Sequence, residues 1–100
     1  MHTPLSYSED GNVVTIYLPK LCTYAVYEDL KKAYGNNDIL THYTLDFIRV
    51  TYIDSSFLGL LLLLKEHTGG MPSKIKLVNL NPEMTEILKT AQFGTIFNIE

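Results

Sequence analysis

Strand-like and helix-like segments alternate along this chain, and after an opening hairpin they do so without a break. That alternation leaves few architectures open. A strand, a helix and a second strand in succession normally build parallel neighbours joined by a right-handed crossover. Residues 5–9 make a short first strand, and Asp10-Gly11-Asn12 supplies a hairpin turn. Residues 13–18 read VVTIYL, rich in β-branched and aromatic side chains. Pro19 closes that strand, because proline has no N–H for a ladder bond. Over residues 24–34, Ala25, Val26, Leu30, Ala33 and Tyr34 recur at helical spacing, with Glu28, Asp29, Lys31 and Lys32 on the wet side. Thr23 is the N-cap there, and Gly35-Asn36-Asn37 is the stop. Residues 41–47 read as a buried strand, and 48–53 as a connection that dips back into the core through Val50 and Ile53. Asp54 or Ser55 caps a helix over about 56–67, which Thr68-Gly69-Gly70 ends. Residues 74–80 form a strand, and Asn81-Pro82 opens a helix with Met84, Ile87, Leu88 and Ala91 inward. Gly94 ends it, and residues 96–99 are a final short strand.

The order is β-β-α-β-α-β-α-β. It predicts an α/β fold with a mixed, mostly parallel sheet and helices packed on it. One hundred residues, 46% of them apolar, make one domain spanning 1–100. A core this small has little slack, so strongly apolar segments read first as core.

Charge and composition exclude several functions. The formal net charge is −3, the eight basic residues are scattered, and Arg49 is the only arginine. Nucleic acid needs a clustered basic face, and a polybasic membrane anchor needs the same. The apolar stretch 57–64, interrupted by Gly59, falls well short of the roughly 20 residues of a membrane span. Residues 1–4 carry no secretory signal pattern, and Cys22 is the only cysteine. A soluble cytoplasmic protein without disulfides is expected. His2, His42 and His67 lack metal-ligand spacing, and Cys22 reads as a packing residue. A hydrolase built on Ser55 would need a base and an oxyanion hole, and no residue is placed to serve as base. The reading is therefore no enzyme, no cofactor and no metal.

The segment from Val50 to Leu61 resembles the central motif of STAS domains, the family of the bacterial anti-sigma factor antagonists. Their motif runs from a hydrophobe through Asp-Ser-Ser-Gly-Leu-Gly into an apolar helix. Asp54-Ser55-Ser56, Leu58 and Gly59 match it, and the element order fits over almost the whole chain. The resemblance implies a non-enzymatic partner-switching regulator with Ser55 as phosphoacceptor. A serine kinase, often the anti-sigma factor itself, would phosphorylate it. A metal-dependent serine phosphatase would reverse the modification, and the unphosphorylated form would bind its partner. A second function that the resemblance allows is a constitutive STAS subunit on the ATPase of an ABC-type lipid transport complex. Three departures stand out. Phe57 replaces the motif's glycine, Thr23 stands where relatives often carry an aspartate, and the chain ends at Glu100 without the C-terminal helix of many relatives.

Two readings of the local chemistry remain open. Ser55 and Ser56 either only cap a helix or offer a phosphoacceptor at its positive end. A phosphate there adds roughly −1.5 to −2 charge beside Asp54. In the helix, Leu58, Leu61 and Leu62 read as the core set, and Gly59 as a point of close approach to the sheet. Phe57, Leu60 and Leu64 make a second stripe, either core or an exposed patch for a partner or a homodimer. The Phe57 ring is expected to be partly exposed as a binding anchor; the alternative is that it folds back over the sheet edge. The expected partner surface thus comprises Thr23, Asp54, Ser56, Phe57, Leu60 and Leu64.

Overall fold

The computed structural model describes residues 6–10, 13–34, 41–67, 74–95 and 97–100. The expected turns at Gly11-Asn12, Gly35–Asn37 and Thr68–Gly70 lie outside the described residues, as do Leu5 and Ile96. Among the described residues, seven strands and three α-helices follow one another. They are β1 (Ser6–Asp10), β2 (Val13–Tyr17), β3 (Leu21–Cys22), α1 (Tyr27–Tyr34), β4 (His42–Asp46), β5 (Tyr52–Ile53), α2 (Ser55–His67), β6 (Ile75–Val78), α3 (Pro82–Thr90) and β7 (Asn98–Ile99).

Five strands form one sheet in the order β1-β2-β4-β6-β7. β1 pairs with β2 antiparallel, and every other neighbour is parallel. The three crossovers step the same way along the sheet. Crossovers of one hand that step the same way lay their helices on the same face. Burial follows this arrangement with a period of two. Val14 and Ile16 of β2, Tyr43 and Leu45 of β4, and Ile75 and Leu77 of β6 are buried, while their alternates Thr15, Thr44 and Lys76 are not. Leu30 of α1, Phe57, Leu60, Leu61 and Leu64 of α2, and Met84 and Leu88 of α3 join the same core cluster. A smallest extent of 20 Å suits one sheet and one layer of helices.

Three local details differ from the sequence reading. The connection 48–53 contains β5, which pairs in parallel with β3 through Leu21–Tyr52 and Cys22–Ile53. Two-residue strands are too short to show alternation, so nothing in the sequence marks them. The first helix starts as a 3-10 turn over Tyr24–Val26, with Thr23 as its N-cap. The third helix is ended by Gln92, not by Gly94. Gln92 takes the left-handed conformation (φ 62°), and its N–H reaches the Lys89 carbonyl at 2.9 Å. Gly94 falls inside the 3-10 turn that follows, Phe93–Thr95. At the other end of α3, Asn81 caps and Pro82 takes the first helical position, as read from sequence.

Candidate functional site

The site forms where the chain leaves the C-terminal edge of the parallel strands. After β4, the Asp46 carboxylate accepts from the Ile48 N–H (2.9 Å) and the Asn79 side-chain amide (3.1 Å), which fixes the turn. The chain then runs back beside β3. The Lys20 carbonyl accepts from the Thr51 and Tyr52 N–H groups at 2.9 and 3.3 Å. β5 pairs with β3, and the Asp54 N–H donates to the Cys22 carbonyl at 3.2 Å. Thr23 and Asp54, 31 positions apart in the chain, directly follow the last pair of this register on its two strands.

Asp54 is the cap of α2. Its carboxylate Oδ1 accepts from the Phe57 N–H at 2.9 Å, and its carbonyl accepts from Leu58 at 3.3 Å. Ser55 therefore holds the first helical position and Ser56 the second. The N–H groups at these positions have no acceptor within a helix, and they carry its partial positive charge. Both serines are exposed, Asp54 and Thr23 are half-buried, and Tyr24 stands 66% exposed after Thr23. The Thr23 hydroxyl accepts from the Ala25 N–H at 3.2 Å and orders the 3-10 turn, which packs on α2. Beneath the cap, burial and then the Asp54 charge push the Cys22 thiol up to about 12. Its Sγ instead donates to the Pro19 carbonyl at 3.5 Å. Such a thiol is inert at neutral pH.

The expected partner surface is corrected along α2. Phe57 has no exposed surface, and Leu60 and Leu64 are buried with it. The Phe57 ring meets Phe47 edge-on, with centroids 6.4 Å apart. The residues that face outward are Ser55, Ser56, Gly59, Leu62, Leu63 and Glu66. Leu62, assigned to the core from sequence, is 40% exposed, Leu63 is 45% exposed, and Leu58 is only half-buried. Gly59 faces open space, so it makes no close approach to the sheet. Apolar residues run nearly all round this helix, so they do not mark its inner face. The polar residues do: Glu66 lies about three turns after Ser55 and shares its face, at roughly 3.6 residues per turn. That signal identifies the exposed pair Leu62–Leu63, which the sequence reading missed. Of the expected residues, Thr23, Asp54, Ser55 and Ser56 come together at the surface, while Phe57, Leu60 and Leu64 support them from inside. No group of His, Cys, Asp and Glu among the described residues has the geometry to hold a metal ion.

Comparison with known proteins converges on one family. The family model described as "Mlab, STAS domain" matches residues 23–98. A STAS-domain containing protein of Pseudomonas aeruginosa (strain UCBPP-PA14) is 38% identical over 93 residues, covering 92% of each chain. The fold is similar to that of the anti-sigma factor antagonist SpoIIAA in its unphosphorylated form (TM-score 0.68, 20% identity, 96% of this chain and 86% of that one). It is equally similar to the Bacillus cell fate determinant SpoIIAA in the phosphorylated form (TM-score 0.71, 19% identity, 96% and 90%).

Proposed function

The chain belongs to the STAS domain family, and from that membership we propose that it is a non-enzymatic partner switch controlled by phosphorylation of Ser55. The observation that carries this reading is the position of Ser55. It is the exposed first residue of α2, and the cap is made by its neighbour. A kinase can reach a hydroxyl so placed, and modifying it leaves the capping bond intact. A phosphate of roughly −1.5 to −2 charge sits well at a helix N-terminus. It also stands beside the Asp54 carboxylate and at the head of the face that carries Leu62 and Leu63. A surface that was partly apolar becomes strongly anionic, and a partner docked on it must desolvate that charge. The unphosphorylated form is then the binding form. The partners are a serine kinase or anti-sigma factor that docks here and a serine phosphatase that resets the switch, all in the cytoplasm.

Ser55→Ala and Ser55→Asp test this reading. Both variants should fold as the wild type does, because Asp54 keeps the cap. Recovery of the kinase or anti-sigma partner from cells should persist with Ser55→Ala and fall at least tenfold with Ser55→Asp. Equal recovery with both, and no phosphate on the Ser55 peptide from cells, would refute the switch.

One observation favours a second reading. Leu62 and Leu63 form an exposed apolar pair that a permanent interface would cover. The chain would then be a constitutive subunit seated on the ATPase of an ABC-type lipid transport complex. Co-purification of an ABC ATPase, unchanged between Ser55→Ala and Ser55→Asp, would select it.

A further inference from the structure

The outward strip of α2 is complementary to itself. At about 100° per residue, Ser55, Ser56, Leu62, Leu63 and Glu66 all fall within about 60° of Gly59, so the six share one side of the helix. All six are exposed. Turned end for end, the strip matches its own pattern: Ser55 changes places with Glu66, and Gly59 with Leu62. Leu62 and Leu63 are the large side chains of the strip, and Gly59 is its gap, because a Cβ built there meets nothing within 4 Å. Glu66 is an anion, and the opposite end of the helix is electropositive. The N–H groups of Ser55 and Ser56 have no acceptor within a helix and carry its partial positive charge. The Asp54 carboxylate is already engaged, since its Oδ1 accepts from the Phe57 N–H at 2.9 Å.

The neighbouring helices follow the same rule. α2 crosses from β4 to β6, so it lies between α1, which crosses from β2 to β4, and α3, which crosses from β6 to β7. Helices of successive parallel crossovers run in one direction. α1 has Glu28 in its first turn and Lys31 and Lys32 in its last, and α3 has Glu83 in its first turn and Lys89 in its last. Consider two copies facing each other across a two-fold axis that lies between them at right angles to α2. Each helix then runs antiparallel to its own counterpart, and acidic beginnings lie over basic ends. A parallel arrangement would oppose like charges along all three helices.

We propose that a second copy of this chain docks on this face, as a two-fold pair with α2 antiparallel to α2. Leu62 of each copy lies over Gly59 of the other, and Glu66 of each comes to Ser55 and Ser56 of the other. The strip is about 16 Å long on a helix about 10 Å across, well below the roughly 800 Å² per partner of a stable interface. The pair is therefore weak, with a dissociation constant on the order of 100 µM, and forms only where the protein is concentrated. It covers Ser55 and excludes any other protein from the strip, so self-association competes with partner binding. The pairing stands on this geometry and does not require that Ser55 be phosphorylated.

The test is sedimentation equilibrium of the full chain at protein concentrations from about 10 µM to 1 mM, a range that brackets the expected constant. The wild type should pass from monomer to dimer and stop there, because a two-fold pair is closed. Leu62→Gln and Leu63→Gln should each weaken the dimer at least fivefold while the thermal melt is retained, since both side chains are exposed. Ser55→Asp and Glu66→Lys should each weaken it about threefold by setting like charges against each other. The double variant Ser55→Asp with Glu66→Lys should recover wild-type association. Within one copy these positions lie about 16 Å apart along the helix, so the recovery reports contact between copies. A monomer at every concentration would mean that the strip is kept for a different protein and would overturn the proposal. So would association that both leucine variants leave unchanged, or a double variant no tighter than Ser55→Asp alone. The Ser55 switch is judged separately, by phosphate on the Ser55 peptide and recovery of its partner, so either idea can fail without the other.

Discussion

Phe57 follows two exposed serines in sequence and is wholly buried in space. Successive residues of a helix point about 100° apart, so closeness to Ser55 along the chain says little about the face a side chain occupies. Its ring closes the core against Phe47. Phe57→Ala should therefore cost about 3–5 kcal/mol, the range for truncating a buried phenylalanine, as read from urea denaturation. A loss below 1 kcal/mol would return the ring to the surface. Cys22 gives a prediction in pH. Its thiol stays protonated in the folded protein up to about 12, while in the unfolded chain it ionises near 9.0. Above 9.0 the unfolded state has lost a proton that the native state still holds, so stability falls as pH rises. The contribution is complete below 9.0 and is lost between 9.0 and about 12. Urea midpoints of wild type and Cys22→Ala should run parallel below 9.0 and diverge above it, with the wild type falling faster. Parallel curves throughout would mean that the thiol is already solvated. The sequence shows that Cys22 sits at a strand-to-helix junction. It does not show that Asp54 lies over it, because that contact comes from a two-residue strand pairing.

At the scale of the element, α2 is a helix with two apolar sides and two different duties. Its inner side, Phe57, Leu60, Leu61 and Leu64, holds it on the sheet. Its outer side, from Ser55 through Gly59 to Leu62 and Leu63, contributes little to the core. Gly59 is the informative position. A Cβ added there meets nothing within 4 Å. Glycine inside a helix costs about 1 kcal/mol relative to alanine. Gly59→Ala should therefore raise stability by about that amount in thermal and urea melts. If a partner docks closely over this bare stretch, the same variant should lose association, so stability and binding would move in opposite directions. A variant that melts higher and binds its partner as well as wild type would free Gly59 of any role at the interface. The element order, the caps Thr23 and Asn81 and the alternating burial of the strands are legible in the sequence, because each has a local signature of period or residue type. The orientation of α2 is not legible from its leucines, since an all-round apolar helix gives no preferred side. It follows from the serines and Glu66.

For the molecule as a whole, the decisive feature is that α1, α2 and α3 share one core on one side of the strands. Thr41, Tyr43, Leu45 and Phe47 are buried in alternation through β4 and the residue on either side of it, and His42, Thr44 and Asp46 between them are not. Each strand thus meets two unlike environments, dense protein on one side and solvent on the other. A scan of all single substitutions, scored by folded yield, should show tolerance switching on and off at every second residue through β2, β4 and β6. Thr15, Thr44 and Lys76 should accept most residue types, and Ile16, Leu45 and Leu77 only a few apolar ones. Equal tolerance at both sets would mean that the sheet has a second covering layer. The permissive positions form a surface that mutation can rewrite without disturbing the scaffold. Descendants of such a protein can gain or change a ligand there while Ser55 and its helix stay as they are, because altering one side places no demand on the other.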